Sequence, residues 1–308
     1  SVYALRPGVY VCDEPTANLD GEGSEQLAET LKKLKAEGCT LVIAEHRLAW
    51  LSGIADRFLY LDGGRILWEK SPVEMAHMSE GERETYGLRE VTQSPFPDLP
   101  QPESGDVFIR TEDLSCKRKG NLIFHHLSLS VCAGQVTAVT GRNGAGKTSL
   151  AMALSGLWKE RGGSVLIGGE KLRAAGRRRR AWYSANDTGT QFFTNSVTEE
   201  LLLGDHHSQT RLEQAGGLLK RLGLYAYKDA HPATLSGGQK QRLSLACGIL
   251  SGRDVLIFDE PTSGLDGGNM RIIADMLRNE ADKGKTILVI THDVELIRRC
   301  CDRMVKMG

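Results

Sequence analysis

The chain has 308 residues, with 39 basic and 39 acidic side chains and 40% hydrophobic residues. A length of this order allows about two domains at roughly 150 residues each. Zero net charge leaves no global field to attract nucleic acid or an anionic membrane, and no apolar run approaches the roughly 20 residues that span a bilayer.

No secretory leader is visible, and Ser1 in place of Met suggests a fragment or a processed start. The seven cysteines form no Cys-x-x-Cys pair, which disfavours a zinc or redox site and fits a reducing cytosol.

In chain order, Val9-Tyr10-Val11 and Leu41-Val42-Ile43-Ala44 are short β-rich runs. They flank a stretch with Leu27, Leu31 and Leu34 at helical spacing. Ser94 to Pro102 holds four prolines, which disfavour helix and central strand, so 94–105 reads as an extended linker between a first domain, 1–93, and a second, 106–308. Gln135 to Thr140 is a further strand candidate, and Arg177 to Arg180 reads as a solvated basic face. Val255 to Phe258 and Ile287 to Ile290 are again strands, with Ile272, Ile273, Met276 and Leu277 at helical spacing between them. Unbroken apolar strands joined by crossover helices predict an α/β fold with a mostly parallel sheet buried on both faces.

The two ends of the chain repeat each other. The run Val-Cys-Asp-Glu-Pro-Thr-Ala-Asn-Leu-Asp ends at Asp20 and Ile-Phe-Asp-Glu-Pro-Thr-Ser-Gly-Leu-Asp ends at Asp266, an offset of 266 − 20 = 246. The same offset carries Glu14 onto Glu260 and His46 onto His292, and 15 of the 58 positions aligned from Leu5 to Asp62 are identical.

Directly after the Gln135–Thr140 strand comes Gly141-Arg142-Asn143-Gly144-Ala145-Gly146-Lys147-Thr148, then Ser149 and an apolar helix with Leu150, Met152 and Leu154. This is Gly-x-x-x-x-Gly-Lys-Thr in a strand–loop–helix setting. The glycines let the backbone N–H groups of this loop, Asn143 and Ala145 included, converge on one anion, and the helix N-terminus adds partial positive charge. Lys147 is placed to reach the β- and γ-phosphates of a nucleotide, and the Thr148 hydroxyl to take one Mg²⁺ position. Asp259 closes an apolar strand, where a carboxylate can hold Mg²⁺ through water, and Glu260 can then polarise the attacking water as a general base. His292 follows the next strand and so falls near the same γ-phosphate.

These motifs resemble the ATP-binding cassette ATPases over nearly the whole chain. The most specific element is Leu235-Ser236-Gly237-Gly238-Gln239, which is similar to the family's signature and opens a helix. The resemblance implies a P-loop fold with an antiparallel β subdomain and a helical signature subdomain. It also implies two cassettes that sandwich ATP, each ATP meeting one phosphate loop and the other cassette's signature. It implies Glu260 as catalytic glutamate and His292 as the γ-phosphate switch. Asp266 falls in the loop that crosses the interface, and Asp13, Glu14, Asp20 and His46 take the same roles in the first copy. The aromatic residue that stacks on adenine in the family falls here on Arg118, whose guanidinium plane can also stack on a base. The family's Mg²⁺-linked glutamine falls by spacing on Asn186, with Gln191 as the nearest glutamine.

Glu45-His46-Arg47-Leu48 and the run from Gln191 to Glu200 look like the fused tandem ATPases of energy-coupling-factor importers, which take up vitamins or transition-metal ions. That resemblance implies integral membrane subunits as partners, docked on the helical segment near residues 190–230, and a peripheral place on the cytoplasmic membrane face. It implies no nucleic-acid partner. Two other readings stand beside it: a soluble tandem ATPase acting on ribosomes or nucleic acid, and a non-hydrolysing regulatory nucleotide binder. As given, the sequence pairs Lys147, Glu260 and His292 with no second signature. It is therefore expected to bind ATP at Lys147 and to hydrolyse it poorly unless two copies dimerise through their second domains.

Overall fold

The computed structural model describes residues 7–17, 19–92, 94–100, 106–118, 120–204 and 208–307. Residues 101–105 of the expected linker lie outside that set, while 94–100 form neither helix nor strand, as four closely spaced prolines dictate. Two compact units divide at Pro95/Phe96. Gly264–Met270 group with the first unit, and Arg271 onward with the second.

In the first unit, β1 (Val9–Asp13), α1 (Gly21–Ala36) and β2 (Thr40–Ala44) make one parallel β–α–β turn. Asp20 caps α1 by accepting from the Gly23 N–H at 2.9 Å. Leu31 and Leu34 of α1 bury against Tyr10 and Ile54, so the predicted helical face is the one that packs. Beyond it, β3 (Phe58–Asp62) and β4 (Arg65–Lys70) form an antiparallel hairpin. Gly63 and Gly64 turn that hairpin at φ 53° and 76°, the double left-handed turn that glycine allows. The short helices α2 (Pro72–Ala76) and α3 (Glu80–Thr85) each open with a Ser–Glu capping box, Ser71–Glu74 and Ser79–Glu82. Met75 and Met78 pack with Leu48 and Val91 in a second small core.

The second unit begins with β5 (Val107–Arg118) and β6 (Asn121–Cys132), a long antiparallel hairpin. Then follow β7 (Val136–Gly141), α4 (Lys147–Leu154), β8 (Gly162–Ile167), β9 (Glu170–Lys171), α5 (Ala174–Arg180) and β10 (Ala181–Ser184). The helical part is α6 (Val197–Leu201), α7 (Gln209–Arg221) and α8 (Gly237–Leu250). The chain closes through β11 (Val255–Asp259), α9 (Gly267–Asp282), β12 (Thr286–Ile290), α10 (Val294–Cys300) and β13 (Arg303–Met307). A parallel sheet runs β10-β11-β12-β7-β13, and an antiparallel sheet runs β6-β5-β8-β9. All five residues of β11 and of β12 are buried, as unbroken apolar strands covered on both faces must be.

The basic run differs from expectation. Arg177 is wholly buried, donates to the Leu172 carbonyl at 2.8 Å and is ion-paired to Glu160. Arg180 pairs with Asp254 at 2.5 Å. Charge density alone does not reveal that α5 turns one arginine inward to a carboxylate from the loop before β8.

The repeat survives into three dimensions. Val9 to Asp13 pair with Thr40 to Ala44 in the same register as Val255 to Asp259 with Thr286 to Ile290. The Glu14 N–H reaches the Ala44 carbonyl at 2.9 Å, and that of Glu260 reaches Ile290 at 2.8 Å. The helices coincide in length, 16 residues each, and in cap: the Asn269 N–H donates to Asp266 at 2.6 Å as Gly23 does to Asp20.

Candidate active site

The loop between β7 and α4 is shaped by its glycines. Gly141, Gly144 and Gly146 stand at φ 140°, 84° and 93°. A Cβ on Gly141 would overlap the Met307 backbone carbonyl, and one on Gly146 would lie 3.0 Å from Ile123. The tip of the β5–β6 hairpin therefore packs on the loop. Ala145 closes a turn onto Arg142 at 3.1 Å, and the Lys147 ammonium donates to the Gly141 and Arg142 carbonyls at 2.6 and 3.0 Å. Asn143 lies inside this turn, between Gly141 and Gly144, and Ser149 falls in the first turn of α4.

Beside it, the Thr148 hydroxyl donates to Asp259 Oδ2 at 2.7 Å. The Tyr183 hydroxyl reaches the same oxygen at 3.2 Å from the neighbouring strand β10. Burial raises the Asp259 carboxyl above its ordinary value, against the lowering effects of Thr148, Tyr183 and the Lys147 charge. Burial and the Asp259 charge in turn push the Tyr183 phenol far up, so it stays a donor. Tyr183 carries no spacing signal in the sequence; only the β10–β11 register brings it to Asp259.

Glu260 sits at φ 50° just past β11. Thr291 donates to its Oε2 at 3.2 Å, and His292 Nε2 stands 3.8 Å from Oε1. In the first unit Glu14, at φ 42°, faces His46 Nε2 at 3.6 Å. Asp13, the counterpart of Asp259, is exposed, whereas Asp259 is 4% exposed.

At the signature, Leu235 is buried and Ser236 and Gln239 form a reciprocal capping box. Gln239 Oε1 accepts from the Ser236 N–H at 2.8 Å and Ser236 Oγ from the Gln239 N–H at 3.3 Å. Gly237 and Gly238 make the first turn of α8 with open space where a Cβ would stand on Gly237. Gln191 meets that helix, its Oε1 accepting from Ser244 at 3.3 Å, and Gln241 Nε2 donates to the Asn186 carbonyl at 3.1 Å. Arg118 lies over the Trp158 ring at 4.7 Å from its centroid.

Residues 124–263 match the model of the ABC transporter family. A putative ABC transporter ATP-binding protein of Treponema denticola is 38% identical over 99% of this chain and 63% of the relative. Residues 124–263, which hold the phosphate loop, the signature and the acidic pair, are thus similar to an ABC transporter ATP-binding domain. A similarly named Methanosarcina acetivorans protein is 31% identical over 99% of the chain and 59% of the relative. The chain thus spans less than two thirds of the curated relatives it matches. Among solved structures, cbiO1 from Clostridium perfringens, described as part of the ABC transporter complex cbiONQ, matches with a TM-score of 0.59 at 27% identity. That match covers 66% of this chain and 86% of cbiO1. The mixed architecture of the second unit, a parallel sheet beside an antiparallel one, is that of an ABC ATPase P-loop fold, as its structural neighbours have.

Proposed function

We propose that this protein binds and hydrolyses ATP to energise a membrane importer of the energy-coupling-factor type, for a vitamin or a metal ion. The carrying observation is the Thr148–Asp259 hydrogen bond, which joins the phosphate loop to the acidic strand end with Glu260 next in the chain. The hydroxyl and the carboxylate are hard oxygen donors that fit Mg²⁺, and a buried anion there accounts for the donors gathered on it. When bound there, Mg²⁺ would supply charge neutralisation of the phosphates.

The chain's own groups do the rest. The Gly141–Gly146 loop and the α4 N-terminus orient the triphosphate, with Lys147 exchanging its loop carbonyls for phosphate oxygens. Glu260 takes a proton from the attacking water at a carboxylate oxygen, and His292 stands beside it to contact the γ-phosphate. In the first unit Asp13, Glu14, Asp20 and His46 take the parallel roles. Arg118 stacks on the base, while Leu235 to Gln239 and Asp266 complete the nucleotide contacts across cassettes. Gln191 links the site to the signature helix through Ser244.

Coupling to transport is a population shift, in which ATP favours the closed pair of cassettes and hydrolysis removes that preference. Phe193 is 79% exposed and Leu203 59%, and both lie in the segment proposed to meet the membrane subunits. Among the described residues no helix is long and apolar enough to cross a membrane. The protein would then sit peripherally on the cytoplasmic membrane face through those subunits.

The test uses the full-length protein purified from membranes. With Glu14→Gln already in place, Glu260→Gln should retain bound ATP and lower the remaining turnover by about 10²-fold or more. The wild type should co-purify with integral membrane subunits. Unchanged hydrolysis would remove Glu260 as the base, and absence of any membrane partner would remove the importer reading.

A further inference from the structure

The two copies differ in one way that bears on the catalytic carboxylates. In the second unit the histidine is bracketed as Thr291-His292-Asp293, and in the first as Glu45-His46-Arg47. Thr262, buried after the acidic pair, needs an acceptor for its hydroxyl and donates to Asp293 Oδ2 at 2.6 Å. Its counterpart Thr16 is 2% exposed, and the residue at the Asp293 position is Arg47, which cannot accept. Thr16 instead donates to Glu45 Oε1, on the other side of the histidine, and Trp50 Nε1 donates to the same oxygen at 3.0 Å.

That exchange moves the acceptor from after the histidine to before it, and removes a hydroxyl. Thr291 donates to Glu260 Oε2, whereas Glu45, at the Thr291 position, is an acceptor turned to Thr16 and Trp50. Among the described residues, the partner of the Glu14 carboxylate is His46. The side chain of Glu14 is 35% exposed and that of Glu260 15%; for His46 and His292 the values are 44% and 14%. The exchange also changes the local fold. Asp293 caps α10 through the Leu296 N–H at 3.2 Å, but after Arg47 only a 3₁₀ turn, Ala49–Leu51, forms.

We infer that Thr291 is a positioning residue that orients the Glu260 carboxylate toward the attacking water, and that the paired Glu45 and Arg47 exchange withdraws this hold from Glu14, so the two glutamates support unequal turnover. The inference rests on the proposed role of both glutamates as bases. A hydroxyl fixed on one carboxylate oxygen restricts rotation and leaves the other oxygen aimed, so losing it costs turnover and not ATP binding.

The experiment uses the full-length protein, with Glu14→Gln isolating the Glu260 site and Glu260→Gln isolating the Glu14 site. In the first background, Thr291→Val should lower kcat by about tenfold with KM for ATP unchanged, and Thr291→Ser should restore it. In the second, Glu45→Thr with Arg47→Asp should raise kcat. Glu45→Thr alone should not, because Thr16 then has no acceptor. An unchanged kcat in Thr291→Val, a Ser variant no better than Val, or no gain from the paired exchange would each overturn the inference. If the Glu14→Gln/Glu260→Gln protein still turned over, the base assignment itself would fall, and the inference with it. If that double variant is inert and Thr291→Val is silent, only the inference falls.

Discussion

Glu14 and Glu260 share a backbone conformation that side-chain-bearing residues rarely adopt, at φ 42° and 50°. Each follows a strand whose parallel neighbour ends two residues before a histidine, His46 or His292, so the left-handed kink turns both carboxylates out of the sheet at the same point. Non-glycine residues in this region carry strain that surrounding structure must hold, and such strain concentrates at functional sites.

That strain can be measured. Glu14→Gly and Glu260→Gly should each relieve about 1 kcal/mol of backbone strain. Both variants should melt no lower than wild type while Glu260→Gly loses turnover. Thermal denaturation followed beside ATP hydrolysis checks the pair.

Tyr183→Phe removes one of the two hydroxyls on Asp259 Oδ2. Since that bond lowers a carboxyl already raised by burial, its loss should raise Asp259 further. In the proposed reaction ionised Asp259 is the active form, so the acidic limb of the turnover profile should move to higher pH. The folded value above the unfolded one also means that this group's contribution to stability is present at low pH and lost as pH rises through the folded value. A pH–rate series on wild type and variant reads the shift.

Glu160 shows the opposite sign. Burial alone would raise its carboxyl, but the hydrogen bond and charge of Arg177 outweigh it and leave the value lowered. Its contribution to stability is therefore present above the ordinary carboxylate value and lost as pH falls through the lowered one. Glu160→Gln leaves the wholly buried Arg177 without its counter-charge and should cost about 3 kcal/mol or more. Urea unfolding at neutral pH gives the size, and its decline toward acid gives the sign.

Gly141→Ala should fail for a steric reason, because the new methyl meets the Met307 carbonyl on the neighbouring strand β13 and the φ of 140° disfavours any side chain. We expect a loss of about 2 kcal/mol or more and weaker nucleotide binding. Gly144→Ala meets no atom within 4 Å but shares the positive φ, and should be the milder of the two. Calorimetry of nucleotide binding and thermal melts separates them.

Phe193→Asp places a charge on an exposed ring in the segment proposed to dock. Co-purification of membrane subunits should fall while ATP photolabelling at Lys147 persists. Unaltered co-purification would move the docking surface elsewhere.

The sequence by itself determined the phosphate loop, the acidic strand ends, the signature and the repeat, because each depends on local order. A glycine pattern curls a loop, an apolar run makes a buried strand, and a Ser or Asp caps the helix that follows, as at Ser236 and Asp20. Leu31 and Leu34 were likewise legible as a packing face. Tertiary structure alone decided which hydroxyls meet which carboxylates. Tyr183 reaches Asp259 by strand register, Thr291 reaches Glu260 from the end of the adjacent strand, and Arg177 turns inward to Glu160. Those partners are distant in the chain and carry no period or spacing. Hydrogen bonds of about 3 Å are set by how strands and helices stack, so a buried charge and a solvated one look alike until the fold brings their partners into place.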